Sequence, residues 1–227
     1  MTKLYLVRHC EALGNLQKIF QGTTDLDITE LGQKQLDFLT KRFQDIHLDC
    51  VYSSPLIRTQ KTAKAIIGAK GLTPIIHKGL IELDGGILEG KPFLETSFGN
   101  PQIKYIWFNE PHNFVAEGGE HMRDAYERIW NAVVDIVKQN PEKTVACATH
   151  GAVIRCLMSR LLFGDIIHLN DVPISSNTAV SLIEFDENMN FKVIKRLSLA
   201  LALSVGIYSR SDKPMEFFFL DEGFGTL

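Results

Sequence analysis

Three short apolar runs in this chain each stop at a polar pair and give way at once to a helix-forming stretch. KLYLV (3–7) stops at Arg8-His9, Cys50-Val51-Tyr52 stops at Ser53-Ser54, and the run beginning at Thr144 stops at Thr149-His150. Runs of this length, bounded by polar residues, fit strands buried on both faces, as a parallel sheet requires. Helical spacing lies between them. Ile28, Leu31, Leu39, Phe43 and Ile46 fall close to one face over 28–46, with Thr29 as N-cap. LIRTQKTAKAIIGAKG (56–71) reads as a helix closed by glycine, and GAVIRCLMSRLLFG (151–164) as another. Met122, Tyr126, Ile129, Val133 and Ile136 mark a helix over 120–139, with Pro141 beyond its end. Thr73 to His77 reads as a further strand, and AVSLIEF and NFKVI as a closing hairpin across Asp186–Asn190. Strands alternating with helices predict a three-layer α/β/α fold around a mostly parallel sheet. The stretch 84–119 is irregular and rich in Gly, Pro and aromatics, which predicts a small capping insertion. The expected division is one domain over 1–196 and an atypical tail over 197–227.

In open parallel sheets, ligands bind beyond the carboxyl ends of the strands, where helix N-termini offer unpaired N–H groups. Two histidines, His9 and His150, stand at such ends. Arg8 precedes the first, and Arg58 lies in the first turn after Ser54-Pro55. Two guanidiniums and two imidazoles converging on one spot call for an anion, and a phosphoryl group suits guanidinium forks. A neutral imidazole nitrogen can attack phosphorus and hold it covalently, splitting one hydrolysis into two easier steps. The arginines and the second imidazole would stabilise the transferring group. The departing alkoxide needs a proton, and Glu82, just before Asp84-Gly85-Gly86, is the best-placed carboxyl.

Composition narrows the alternatives. A net charge of −3 argues against a nucleic-acid binder held by a broad basic surface. There is no apolar run of about 18 residues, which argues against a membrane span. The four cysteines (Cys10, Cys50, Cys147, Cys156) form no CxxC pair, which fits free thiols and a cytoplasmic protein. No His/Cys/Asp cluster has ligand spacing, and the arginines would repel a cation, so neither metal nor other cofactor is expected. Gly85 to Lys91 nearly spells a P-loop, but Pro92 replaces the Mg²⁺-binding hydroxyl and removes an N–H.

Five segments, in order, resemble the motifs of the histidine phosphatases, the phosphoglycerate-mutase-like superfamily, from about residue 3 to about 185. They are LVRHCEALGN, FQGTTDLDITELG, YSSPLIRTQKTA, IELDGGILEG and ATHGAVIR. The resemblance implies that His9 is the nucleophile, that Arg8, Arg58 and His150 form the phosphate pocket, and that Glu82 is the proton donor. It also implies that Asn15 and Gln21 touch the phosphate or the substrate. Two places depart from the usual pattern: Cys10 stands where glycine is common, and Leu88 where tryptophan is common. Cys10 is expected beside the nucleophile, which raises the question of sensitivity to thiol oxidation.

The insertion after the acid motif is short and apolar, and resembles the broad-specificity phosphatase branch rather than the mutases. Phosphomonoester hydrolysis is therefore the leading expectation. Phosphoglycerate mutase activity and a phosphate-binding module without catalysis are the alternatives. Phe93, Phe98, Tyr105, Trp107, Phe108 and Phe114 would favour a small-molecule substrate with an apolar or aromatic leaving group, with cap core an equal reading of most of them. His112 and His121 read as structural rather than rim contacts. The tail from about Leu197, ending FFFLDEGFGTL, resembles the Walker B strand of SMC-like DNA-repair nuclease ATPases. No Walker A loop accompanies Asp221 and Glu222, so no ATPase activity is expected. The sequence leaves oligomeric state open.

Overall fold

A computed structural model describes residues 1–92 and 100–197 of the 227. Phe93, Phe98 and the Walker B-like tail from residue 198 onward lie outside the described residues. The central sheet has six strands: β1 (Thr2–Arg8), β2 (Cys50–Ser53), β3 (Ile75–Ile76), β4 (Thr144–Thr149), β5 (Val180–Phe185) and β6 (Phe191–Leu197), in the order β3-β2-β4-β1-β5-β6. The first four are mutually parallel; β5 is antiparallel to β1, and β6 to β5. The last strand includes Leu197, paired with Val180, so the first residue of the expected tail belongs to the sheet.

Strand alternation sorts side chains into two cores. Leu4 and Leu6 of β1, with their register partners Val145 and Cys147 of β4, enter one core. It is completed by α5 (Met122–Gln139) and α6 (Gly151–Phe163). Val7, Ala146, Ala148 and Val51 face the opposite way, onto α2 (Glu30–Phe43) and α3 (Ile57–Ile67). The Thr29 hydroxyl accepts the Gly32 N–H at 2.9 Å, so α2 begins at its expected cap. Gly68, at φ +53, ends α3.

The insertion is less irregular than expected. It contains a helix, α4 (Pro101–Asn109), capped by Asn100 and opened by proline. The P-loop-like stretch is occupied otherwise: Gly86 to Leu88 form a single 3₁₀ turn. Gly86 sits there at φ +51, where a Cβ would lie 2.2 Å from the Glu117 carbonyl, so only glycine lets the two backbones meet. Among the described residues no helix is long and apolar enough to cross a membrane.

Parallel register positions the site. Arg8 pairs with Thr149 and Ser53 with Ala148, so His9, Ser54 and His150 follow at one level. The crossing bonds continue past the strands: His9 N–H donates to the Thr149 carbonyl (2.9 Å) and Ser54 N–H to that of Ala148 (3.1 Å).

Candidate active site

His9 is only 3 % exposed. Its Nδ1 lies 2.6 Å from the Cys10 carbonyl. A carbonyl only accepts, so Nδ1 carries the proton and Nε2 keeps a lone pair. Burial, then the charges of Arg8 and Arg58, hold the imidazole well below its ordinary pKa, so it is neutral. His150, the N-cap of α6, is fully buried, with its ring centroid 5.3 Å from that of His9. Its Nε2 is 2.7 Å from Ser54 Oγ, which also accepts the Leu56 N–H at 3.4 Å. A Ser54 hydroxyl that donates to Nε2 puts the ring proton of His150 on Nδ1. Burial, then Arg58, His9 and Arg8, also keep this ring neutral.

Arg58 is fully buried, yet among the described residues no carboxylate is in hydrogen-bond contact with its charge. Backbone carbonyls hold it instead: Nη1 donates to Thr24 (2.8 Å), and Nη2 to Gly22 (2.7 Å) and Gln21 (3.2 Å). Arg8 donates from Nη1 to the Ser175 carbonyl. Burial lowers the pKa of both guanidiniums, and Glu82 is the leading opposing charge in each case. Three donors of this cluster find no partner among the described residues: Arg8 Nε, Arg58 Nε and His150 Nδ1. Buried donors without acceptors are costly, so a cluster of three defines a place for an anion with several oxygens.

Glu82 lines the same cleft. One carboxyl oxygen accepts the Leu83 N–H at 3.0 Å and the other the Ala152 N–H at 3.1 Å, which fixes the group at the start of α6. Asn15, in the short helix α1 (Leu13–Gln17), and Gln21 also line it. Gln21 Oε1 accepts the Gly14 N–H at 3.1 Å, and the approach is so close that a Cβ on Gly14 would sit 2.3 Å from that oxygen. Of the seven residues singled out in the sequence, five line one cleft of about 370 Å³; the other two are buried, His150 with its ring against that of His9 and Arg58 near enough for its charge to act on His9.

Several contributors have no sequence signature in the reading above. Asn177 donates from Nδ2 to the His9 carbonyl at 3.0 Å, reaching it only because β5 runs antiparallel beside β1. Glu89 organises the loop that holds Arg58. Its carboxylate accepts the N–H groups of Gly22 (3.2 Å), Thr23 (3.0 Å), Thr24 (2.9 Å) and Gly85 (2.8 Å), and the Thr24 hydroxyl. Burial pushes the Glu89 carboxyl up, but these hydrogen bonds outweigh it and leave the pKa below the ordinary value. An acid seven residues after Glu82, in the same IELDGGILEG segment, was the available signal.

The cap aromatics divide. Trp107 lines the cleft and meets Phe20 (5.4 Å between centroids) and Phe114 (4.6 Å), while Phe114 is itself core. Tyr105 and Phe108 are more than half exposed and do not line this cleft. His121 is exposed at the N-cap of α5, and His112 lies partly buried within another 3₁₀ turn, Pro111–Asn113, outside the cleft lining.

Cys10 corrects an expectation. It is fully buried in the core with Val7, Leu36 and Ala63, on the α2/α3 side of the sheet, and does not line the cleft. Burial pushes its thiol up to about 11. At pH 7.5 that leaves roughly one thiolate in three thousand. Millimolar peroxide is therefore expected to leave turnover unchanged over an hour; a loss of activity restored by dithiothreitol would show that this thiol is reached.

A neutral imidazole with an open ring nitrogen, two guanidiniums and a carboxyl, gathered beyond the carboxyl ends of parallel strands, make a site suited to a phosphoryl group. Residues 4–197 match the histidine phosphatase superfamily (branch 1), and the chain belongs to that family. It is 34% identical over 203 residues to phosphoserine phosphatase 1 of Hydrogenobacter thermophilus, covering 89% of this chain and 95% of the relative. It is 30% identical over 188 residues to a Yersinia pestis protein named "Probable phosphoglycerate mutase GpmB", covering 83% and 87%. Among solved structures, Bacillus stearothermophilus YhfR superposes with a TM-score of 0.80 at 31% identity, covering 85% of this chain and 95% of that one.

Proposed function

We propose that this protein hydrolyses small-molecule phosphomonoesters through a phosphohistidine on His9, with Glu82 moving the proton. The observation that carries the reading is the His9 Nδ1 bond to the Cys10 carbonyl, which leaves Nε2 unprotonated beside Arg8 and Arg58. In the first step Nε2 bonds to phosphorus and the bond from phosphorus to the ester oxygen breaks. Glu82 gives its proton to the departing alkoxide. In the second step water attacks phosphorus, its proton passes to Glu82, and the P–N bond breaks to release inorganic phosphate. Arg8, Arg58 and His150 turn their unpartnered donors to the phosphoryl oxygens, so the stabilising charges are in place before reaction. Asn15 and Gln21 bind on the substrate side of the cleft.

This division of labour asks nothing of a metal, because guanidiniums supply the positive charge. The test is phosphate release from a panel of phosphomonoesters, including p-nitrophenyl phosphate and phosphoserine, with EDTA present. Turnover at rates unaffected by the chelator is expected. Phosphoryl transfer to 3-phosphoglycerate, primed by bisphosphoglycerate and without net hydrolysis, would make it a mutase instead. Binding of phosphate without turnover would make it a binding module.

A further inference from the structure

Beyond the phosphate pocket, the charges of the cleft do not balance. Its charged lining residues are Arg8, Lys18, Arg155 and Glu82. Arg8 and Glu82 belong to the reacting centre, which leaves two further cations in the cleft lining. Lys18 is exposed at the rim. Arg155 is part-buried on α6, one turn beyond the Ala152 N–H that holds Glu82. Its guanidinium is fixed along one edge. Nε donates to the carbonyls of Leu169 (2.6 Å) and Val172 (3.0 Å), and Nη2 to Asn170 Oδ1 (2.8 Å). Nη1 has no acceptor among the described residues. Burial lowers the pKa of Arg155, and Cys156 is the only group that opposes it. Two other arginines of α5 and α6 differ: Arg128 pairs with Glu120 at 2.7 Å and Arg160 with Glu127 at 2.9 Å. An arginine locked by three neutral acceptors, with its end-on edge unused and no carboxylate of its own, is preorganised for a planar anion.

We infer that Arg155 forms a second anion subsite, which selects phosphomonoesters whose alcohol carries a carboxylate. The inference rests on the phosphatase reading above. The apolar wall of Ile19, Phe20, Leu83, Trp107 and Met122 then packs the short carbon skeleton between the two anionic ends. This changes the sequence-based expectation of an apolar or aromatic leaving group. The apolar residues are part of the cleft lining, and the charge of Arg155 beside them decides what it prefers.

The test compares phosphoserine with its primary carboxamide, which has the same shape and lacks the charge, and uses p-nitrophenyl phosphate to establish turnover. The wild-type protein is expected to favour the carboxylate at least tenfold in kcat/KM, mostly through KM. Arg155→Met is expected to bring that ratio close to one, and Arg155→Lys to leave it in between. A wild-type ratio near one, or turnover of nitrophenyl phosphate alone, overturns the subsite and leaves the phosphatase reading intact. An equal loss on both esters in Arg155→Met, with the ratio kept, overturns it in favour of a purely structural arginine. If that variant does not fold, the wild-type ratio decides. Absence of turnover on all three esters would count against the phosphatase reading itself.

Discussion

His9→Ala is expected to reduce turnover by about four orders of magnitude or more and to abolish any acid-labile phosphoenzyme. The ring provides the only nitrogen lone pair that the cluster leaves open. His150 cannot replace it: its Nε2 is taken by Ser54 at 2.7 Å, and its proton then sits on Nδ1. The remaining donors should still bind phosphate, because Arg8 Nε, Arg58 Nε and His150 Nδ1 are untouched by the substitution. The decisive measurement is a rapid quench with ³²P-labelled substrate, run beside phosphate binding. Retained binding without label on the protein is the expected pattern. Label persisting on the variant would place the nucleophile elsewhere. The same geometry sets the pH response. Burial and two guanidiniums hold His9 well below its ordinary pKa, so it stays unprotonated as pH falls through about 6.5. No loss of turnover due to His9 protonation is expected at that point.

Glu82→Gln is expected to slow turnover about a hundredfold on esters with poor leaving groups, and much less on p-nitrophenyl phosphate. A nitrophenolate departs without a proton, whereas an alkyl alkoxide does not. Glutamine nearly matches the volume, but it cannot accept from both Leu83 and Ala152, because its amide nitrogen has no lone pair to offer. A modest loss of stability is therefore expected as well, which is why the contrast between leaving groups matters more than the absolute rate. Plotting log kcat against leaving-group pKa separates the effects: a steeper slope for the variant is expected. A parallel line, with equal losses throughout, would assign Glu82 to holding the α6 N-terminus and not to proton transfer.

Much of this arrangement was legible in local pattern. The run from Lys3 to Val7, Thr29 as the cap of α2, and the glycine closing α3 each gave an element within a few residues of its observed bounds. Helix α4 escaped because it is short: Ile103, Ile106 and Trp107 recur at helical spacing and pack half-buried on the core, but they span little more than one turn, and the Asn100-Pro101 start signal stood alone. Counting cap aromatics also misled: their number was readable, but only the fold separates Trp107 in the cleft from Tyr105 and Phe108 in solvent. Cys10 follows His9 directly in the chain, and that adjacency pointed to the active site. Both residues lie just past the end of β1, where the chain leaves the strand, and the thiol ends in the α2/α3 core with Val7.

The sequence by itself determined which chemistry was present: two imidazoles and two guanidiniums at strand ends or helix starts, and a carboxyl in the loop before Gly85-Gly86. Side-chain type and short-range periodicity are local properties, so they can be read in order along the chain. Only the tertiary structure decided how those groups are poised. The open nitrogen of His9, the carbonyl cage around Arg58 and the unused edge of Arg155 all depend on acceptors brought close by folding. Asn177 reaches the His9 carbonyl from 168 residues away. Protonation and orientation follow from which acceptor lies within 3 Å, and that distance is set by packing, not by spacing in the sequence.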